Sequence, residues 1–249
     1  MSVNIDLNNK SALVTGGTRG IGKEISLKLL EAGAKVTVTG TKESDIDDLS
    51  QKNSNENLSF KCLDFKIGES FENFISSIKD SQGFDILINN AGINIVSDFL
   101  STDCESYELI NKINVMGPYS LCRELIPHMK KNDWGRIINV ASIWSVVSRV
   151  GRSNYSTSKS ALIGMSRTIA LEFACNNILV NSVSPGFTLT QLTVATNTPE
   201  DLKIIEDDIP MKRLATPEEI SNCILFLVSD LNRYLTGQNI IIDGGFTIK

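Results

Sequence analysis

Short apolar runs alternate with longer amphipathic segments along most of the chain. The interiors of the short runs, among them ALVT, VTVT and RIINVAS, are almost continuously apolar, which is typical of parallel strands covered on both faces. Strands are therefore predicted over seven segments: Ser11–Thr15, Lys35–Thr39, Leu58–Asp64, Asp85–Asn89, Arg136–Ala141, Leu179–Ser184 and Asn239–Asp243.

The segments between these strands repeat their apolar positions with a helical period. Helices are predicted over Lys23–Ala32, Phe71–Ser81, Met116–Lys131, Ser156–Ala174 and Pro217–Ser229. Strands that alternate with helices form βαβ units, so the pattern predicts a doubly wound, seven-stranded parallel sheet of the Rossmann-like α/β class. No repeat or linker interrupts the pattern, and a single domain is expected over residues 1–249.

Composition and charge narrow the possible partners. The net charge of −5 leaves no basic face for a nucleic acid, and no apolar run approaches the roughly 18 residues that a membrane span needs. The first ten residues, MSVNIDLNNK, lack the basic and apolar regions of a signal peptide. Five cysteines without a CxxC pair are typical of a reducing compartment, so a cytoplasmic protein is expected.

The chain has a single histidine, His128, so zinc sites built from several histidines are excluded. A Ser–His nucleophile would have to use His128, which lies at the polar end of a predicted surface helix. Any proton transfer is therefore expected to use another residue type.

A glycine-rich turn, TGGTRGIG, follows the first strand and leads into a helix. Gly16, Gly20 and Gly22 would permit a tight turn and a close approach of the backbone to a pyrophosphate at the helix N-terminus. Because this is the first βα turn of a doubly wound sheet, the sequence predicts a nucleotide site rather than an empty glycine loop.

The end of the second strand indicates which dinucleotide binds. An acid there would bind the ribose 2′-hydroxyl of NAD, but the stretch Thr39–Lys42 contains none before Glu43. Arg19 is placed in the first turn of the following helix, where a cation is unfavourable unless it meets a 2′-phosphate. NADP(H) is therefore predicted over NAD(H), the alternative being that Arg19 and Lys42 are merely solvated.

Tyr155 is followed four residues later by Lys159, on the same face of a predicted helix. An ammonium beside a phenol favours the phenolate, so Lys159 is expected to lower the pKa of Tyr155. Ser142 lies at the carboxyl end of the RIINVAS strand, the edge where parallel sheets bind ligands, and its hydroxyl could hold a substrate carbonyl oxygen.

These motifs occur together in a fixed order: TGGTRGIG at 15–22, Asn89–Gly92, Asn114, Ser142, Tyr155 with Lys159, and Pro185-Gly186. In that order they resemble the classical short-chain dehydrogenase/reductase family, from about residue 8 to the C-terminus. Within the family the chain is most similar to 3-oxoacyl-carrier-protein reductases. Lys130–Asp133 and Cys175–Asn177 depart from those reductases, which often carry arginine in both stretches where the carrier protein docks.

The resemblance implies a role for each motif. Tyr155 would exchange a proton with the substrate oxygen, Lys159 would bind the nicotinamide ribose, and Ser142 would orient the carbonyl. Asn114 would interrupt its helix and support a water that links Lys159 to solvent. The implied cofactor-binding residues are Gly16, Thr18, Arg19, Gly20, Ile21, Gly22, Thr39, Asp64, Asn90, Ala91, Gly92, Tyr155, Lys159, Pro185, Gly186 and Thr188.

An NADPH-dependent ketone reductase acting on a small molecule or a 3-oxoacyl thioester is therefore the leading hypothesis. A dehydrogenase of a sugar, polyol or sugar-nucleotide is the alternative, and a non-catalytic nucleotide-binding subunit is the remote one. Trp144 could form an apolar wall of the pocket or a subunit contact, and Arg149 and Arg152 could bind an anionic group or face solvent. Residues 188–210 are expected to form a lid, and the resemblance implies a homotetramer.

Overall fold

Seven parallel strands form the centre of the computed structural model, which describes residues 5–79, 83–195 and 197–249. They are β1 (Ser11–Val14), β2 (Lys35–Gly40), β3 (Leu58–Cys62), β4 (Ile86–Asn89), β5 (Gly135–Val140), β6 (Ile178–Pro185) and β7 (Asn239–Ile242). Their order, β3-β2-β1-β4-β5-β6-β7, reverses direction between β1 and β4. The predicted doubly wound parallel sheet is confirmed, and its switch point lies beside the glycine-rich turn.

Helices cover both faces of this sheet. They are α1 (Gly20–Glu31), α2 (Glu43–Lys52), α3 (Gly68–Lys79), α4 (Cys104–Asn111), α5 (Gly117–Lys131), α6 (Ser153–Phe173), α7 (Gln191–Ala195), α8 (Pro199–Asp208) and α9 (Pro217–Val228). Residues 80 and 81, the end of one predicted helix, lie outside the described residues. Helices α7 and α8 occupy the segment that the sequence predicts to be a lid, and its movement stays a prediction.

Neighbouring residues on the central strands point to opposite faces and enter two separate cores. Leu87 and Ile137 pack among residues of α3 and α5, whereas Ile88 and Ile138 pack among residues of α1 and α9. All four side chains are fully buried. This arrangement explains why the strand sequences lack polar alternation.

A row of buried polar side chains lies near the carboxyl ends of the central strands. Asn89, Asn139 and Ser182 are in register across β4, β5 and β6. Asn89 Nδ2 donates to Asn139 Oδ1 at 2.8 Å, and Asn139 Nδ2 donates to Ser166 Oγ of α6 at 2.7 Å. Because these bonds join the strand ends to α6, they fix the helix that carries Tyr155 and Lys159 against the sheet.

Several predicted boundaries shift in the structure. Strand β3 ends at Cys62, so Asp64 lies two residues beyond the strand rather than at its end. Helix α6 begins at Ser153, which places Tyr155 in its first turn. Arg19 is the residue that precedes α1, not a member of its first turn, although it still lies at the positive end of the helix dipole.

No helix in the described parts of the chain is long and apolar enough to cross a membrane.

Candidate active site

A cavity of about 510 Å³ opens at the carboxyl edge of β1, β2 and β4. The cofactor-binding residues predicted from the sequence that line it are Gly16, Thr18, Arg19, Gly20, Ile21, Gly22, Thr39, Asp64, Asn90, Ala91 and Gly92. Sequence reasoning missed further lining residues, namely Gly40, Thr41, Asp45, Ile46, Leu63, Phe65, Lys66, Ile93, Ile113, Thr190 and Gln191. Most of these residues directly follow a strand or a predicted motif. Their position at the switch point of the sheet is the sequence signal that could have identified them as lining residues.

The glycine-rich turn packs directly against the loop after β4. Gly16 and Gly20 have positive φ angles of 61° and 55°. A Cβ on Gly22 would lie 2.4 Å from Asn90 Nδ2 and 2.5 Å from the Gly16 carbonyl oxygen, so no other residue fits there without movement. Asn90 Nδ2 also donates to the carbonyl oxygens of Thr15 and Gly16, which holds the turn open toward the cavity.

The N-terminus of α1 can bind an anion. No side chain caps this helix, and its first turn contains no acid, so its leading N–H groups have no partner of their own. A Cβ on Gly20 would meet no atom closer than 3.5 Å, so the backbone at this position is accessible. A helix end of this kind inside a cavity of this size fits the pyrophosphate of a dinucleotide.

The far end of the cavity is lined by charged side chains of both signs. Arg19, Lys42 and Lys66 contribute three cations, and Asp45 and Asp64 contribute two carboxylates. Arg19 and Lys42 are exposed, and neither forms an ion pair within the described part of the chain. Asp45 faces the cavity because it lies in the first turn of α2, a helix that the sequence did not predict.

Ser142, Tyr155 and Lys159 come together where β5 ends and α6 begins. Ser142 is 7% exposed, and the proximity of its hydroxyl lowers the pKa of the Tyr155 phenol. Lys159 Nζ lies 5.6 Å from the centroid of the Tyr155 ring and donates to the Val140 carbonyl oxygen at 2.7 Å. The structure therefore groups the three residues that the sequence predicts to be catalytic.

The ionisation of this group differs from the prediction. Burial raises the pKa of the Tyr155 phenol above its ordinary value, and the Ser142 hydrogen bond and the Arg152 charge only partly oppose that rise. The sequence predicts a lowered pKa for Tyr155, but in this structure the effect of burial is larger and the pKa is raised. Burial lowers the pKa of Lys159 to about 8. At neutral pH the phenol is therefore a proton donor beside a charged amine.

Asn114 lies in a π-helical segment, Lys112–Met116, between α4 and α5, so the predicted interruption of the helix is confirmed. Its fully buried amide bonds to both backbone groups of Ile93 at 2.9 Å and donates to Ser158 Oγ at 3.0 Å. A Cβ on Gly92 would lie 3.2 Å from Asn114 Oδ1 and 3.3 Å from Lys159 Nζ. Gly92 thus joins the cavity wall to the catalytic group.

Pro185, Gly186 and Thr188, at and just after the end of β6, do not line the cavity. Gly186 N donates to the Ile242 carbonyl oxygen, and the Thr188 hydroxyl donates to the Gly186 carbonyl oxygen at 3.2 Å. Pro185, Gly186 and Thr188 are thus engaged with the β6–β7 end of the sheet, and Tyr155 and Lys159 also lie outside the cavity lining. Direct contact of these five residues with a cofactor stays a prediction.

Aromatic side chains form a wall beyond Ser142. Trp144 packs edge-to-face against Phe187 and Phe246, with ring centroids 5.9 and 6.0 Å apart. Phe187 and Phe246 also contact each other at 5.3 Å. Of the two predicted roles for Trp144, an apolar pocket wall and a subunit contact, these contacts within one chain favour the wall.

His128 lies at the opposite edge of the sheet. Its Nε2 is 3.3 Å from Asp85 Oδ1, just before β4 begins, whereas Ser142 follows the end of β5. The histidine therefore cannot activate Ser142. Within the described residues, no group of three or more His, Cys, Asp or Glu side chains could hold a metal ion.

Comparisons with known proteins agree with this geometry. A family model described as enoyl-(acyl carrier protein) reductase matches residues 16–247. A solved structure, a short chain dehydrogenase/reductase family protein, is 31% identical, covers 98% of this chain and 100% of its own, and superposes with a TM-score of 0.88. The chain belongs to the short-chain dehydrogenase/reductase family. It is accordingly an oxidoreductase acting on CH–OH and C=O groups.

Two curated members of the family show that sequence identity alone does not identify the substrate. A 3-oxoacyl-[acyl-carrier-protein] reductase of Aquifex aeolicus (strain VF5) is 37% identical, covering 97% of this chain and 98% of the relative. A 3α-hydroxysteroid dehydrogenase of Mediterraneibacter gnavus (strain ATCC 29149) is 35% identical, covering 96% and 97%. Because the two act on different substrates at nearly equal identity, this short-chain dehydrogenase/reductase must be assigned a substrate from its own residues.

The low pKa of Lys159 leads to a pH prediction for carbonyl reduction by this dehydrogenase/reductase. The amine is charged below its pKa of about 8 and neutral above it. We expect kcat/KM for reduction to be level below about pH 8 and to fall tenfold per pH unit above it, because a neutral amine cannot stabilise the phenolate left by proton donation. Initial rates at saturating cofactor from pH 6 to 10 measure this, and a level profile to pH 10 would contradict it.

Proposed function

We propose that the protein is an NADPH-dependent reductase that converts a ketone to a secondary alcohol, with Tyr155 as the proton donor. The observation that carries the proposal is the grouping of Ser142, Tyr155 and Lys159 beside a cavity whose glycine-rich turn fits a dinucleotide pyrophosphate. Gly92, which lines the cavity and lies against Lys159, provides the continuity between the two.

Each catalytic side chain has a separate task. The Ser142 hydroxyl donates a hydrogen bond to the ketone oxygen and orients it toward the Tyr155 phenol. Tyr155 then gives that oxygen its proton, and the phenolate that remains is stabilised by the nearby Lys159 ammonium. When bound, NADPH supplies the hydride that the carbonyl carbon accepts.

The cofactor preference rests on Arg19 and Lys42. Both are exposed cations on the cavity wall without an ion-pair partner among the described residues, and a 2′-phosphate would supply that partner. Asp45 and Asp64 lie on the same wall and offset part of the positive charge. The preference for NADPH over NADH therefore depends on the planar guanidinium of Arg19, which can bond two phosphate oxygens, rather than on the net charge of the cavity.

A 3-oxoacyl group is the substrate class that we assign, because several of the curated relatives are 3-oxoacyl-[acyl-carrier-protein] reductases that match nearly the whole chain. The aromatic wall of Trp144, Phe187 and Phe246 suits a short acyl chain. Whether the acyl group is carried by an acyl-carrier protein is a separate question. Lys130–Asp133 and Cys175–Asn177 lack the arginines expected for carrier-protein docking. The sugar or polyol alternative is tested by adding a polyol panel to the same assays.

A homotetramer in the cytoplasm completes the proposal. Tyr119 on α5 is 48% exposed and Leu171 on α6 is 86% exposed, and side chains of this kind are suited to contacts between subunits.

The first test removes the proton donor. Tyr155→Phe is expected to lower kcat for ketone reduction by about 10²–10⁴-fold, because the ring remains but the transferable proton is lost. NADPH affinity, measured by fluorescence titration, should change by less than about threefold because Lys159 is intact. Tyr234→Phe, at a fully exposed tyrosine, serves as the matched control and should retain activity. Normal turnover in Tyr155→Phe would refute the mechanism.

The second test addresses the cofactor. The unmodified protein should bind NADPH at least tenfold more tightly than NADH, and Arg19→Ala should weaken NADPH binding by about tenfold or more through loss of a charge-assisted hydrogen bond. NADH affinity should stay the same in that variant. Lys23→Ala, an exposed cation one turn along α1 that does not line the cavity, is the control. Equal affinities of the unmodified protein for the two cofactors would overturn the assignment.

A further inference from the structure

The Ser142 hydroxyl lies on a short turn, residues 142–145, whose shape decides where the hydroxyl proton points. Trp144 N donates to Ser142 Oγ at 3.3 Å, so the turn itself occupies one lone pair of this oxygen. Because the hydroxyl is the acceptor in this bond, its single proton remains available for a ketone oxygen. That direction is kept only while the 142–145 turn keeps its shape.

Ser145 closes this turn with its side chain as well as with its backbone. The Ser142 carbonyl oxygen accepts from Ser145 N at 2.9 Å and from Ser145 Oγ at 2.5 Å. The backbone bond alone closes a single turn of 3₁₀ helix, whose hydrogen-bond geometry is poorer than that of an α-helix. The hydroxyl adds a second bond to the same carbonyl and so stabilises the turn that carries Ser142.

The Ser145 hydroxyl is in turn anchored to the sheet. Ser184 Oγ, near the end of β6, lies 3.2 Å from Ser145 Oγ and donates to Asn239 Oδ1 at 2.7 Å, where β7 begins. Ser184 is fully buried, so water does not compete for these contacts. A line of three polar side chains therefore connects the Ser142 carbonyl to the last two strands of the sheet.

The backbone of Ser145 contacts the helix that carries the proton donor. Ser160 Oγ of α6, the residue after Lys159, donates to the Ser145 carbonyl oxygen at 3.3 Å. Ser145 thus bonds to α6 through its carbonyl and to β6 through its hydroxyl. A displacement of Ser145 would therefore move the Ser142 hydroxyl relative to Tyr155.

We propose that Ser145 is a positioning residue for the reduction, whose hydroxyl holds the 142–145 turn in the shape that directs the Ser142 hydroxyl to the ketone oxygen. In this role Ser145 touches neither substrate nor cofactor and acts through Ser142 alone. The inference rests on the proposed function and adds a residue to its machinery. A misplacement of about 1 Å in a reacting group can lower a rate by about 10²-fold, so a bond that fixes this turn has a measurable effect on turnover.

The test is a double-mutant cycle on the reduction of acetoacetyl-N-acetylcysteamine, an uncharged 3-oxoacyl thioester, by NADPH. Ser145→Ala is expected to lower kcat by about tenfold, with the KM for the thioester and the affinity for NADPH changed by less than about threefold. Ser145→Thr should retain at least about half of the activity, since it keeps the hydroxyl. In a Ser142→Ala background, Ser145→Ala should lower kcat by less than a further twofold or so, because the group that it positions is gone.

Two further variants separate this role from general stability. Ser221→Ala is the matched control, because Ser221 Oγ makes the same kind of bond, to the carbonyl oxygen three residues earlier, on α9 and outside the cavity lining. It should keep kcat within about twofold of the unmodified protein. Ser184→Ala removes the anchor but leaves the Ser145 hydroxyl in place, and should lower kcat by about threefold.

The outcomes distinguish this inference from the proposed function. Unchanged turnover in Ser145→Ala would overturn the positioning role and leave ketone reduction standing. A tenfold loss that recurs in full in the Ser142→Ala background would also overturn it, since the effect would not pass through Ser142.

If the unmodified protein reduces no ketone with NADPH, the proposed function fails, but a measurement without substrate still decides whether Ser145 positions Ser142. The proximity of the Ser142 hydroxyl lowers the pKa of the Tyr155 phenol. That pKa can be measured by NMR on protein with ¹³C-labelled tyrosine. An upward shift of the Tyr155 pKa in Ser145→Ala supports the positioning role, and an unchanged pKa refutes it.

Discussion

A buried ammonium bonded to the end of a strand is the contact on which the active site depends. Lys159 Nζ donates to the Val140 carbonyl oxygen, the last residue of β5, and so links α6 to the carboxyl edge of the sheet. Ser142 and Tyr155 are brought together by this same packing of α6 against β5. The buried polar row of Asn89, Asn139 and Ser182 also stabilises the packing of α6 against the sheet. The site is thus fixed by the fold itself rather than by a mobile loop.

Burial sets the direction in which the site transfers protons. Removing water from around a phenol disfavours the phenolate, and removing it from around an amine disfavours the ammonium. Desolvation thus raises the pKa of Tyr155 and lowers the pKa of Lys159. Perturbed pKa values of this kind are typical of functional sites. In the family the reaction runs on CH–OH and C=O groups, and a phenol that remains protonated at neutral pH is suited to the reduction of C=O.

Most of the fold was predictable because the middle of each central strand is apolar, as in Ile86–Ile88 of β4 and Ile137 and Ile138 of β5. Two of the helices that were missed, α2 and α8, bury almost nothing: α2 buries only Ile46, and α8 has no buried residue, so neither has the buried apolar face by which core helices are recognised. The pairing of Tyr155 with Lys159 was predictable because both residues lie on one face of α6. The pKa of Tyr155 was not, since sequence spacing reveals the neighbouring amine but neither the degree of burial nor the bond that Lys159 makes to Val140.

The central claim is that Tyr155 is a half-buried phenol kept protonated so that it can donate. The most direct measurement is a pH titration by NMR of the protein labelled with ¹³C at the tyrosine Cζ position, with the Tyr155 signal assigned from its loss in Tyr155→Phe. The Tyr155 signal should keep the chemical shift of the phenol form through pH 9 and change to that of the phenolate only above the ordinary tyrosine pKa of about 10. A phenolate already formed at neutral pH would contradict the account.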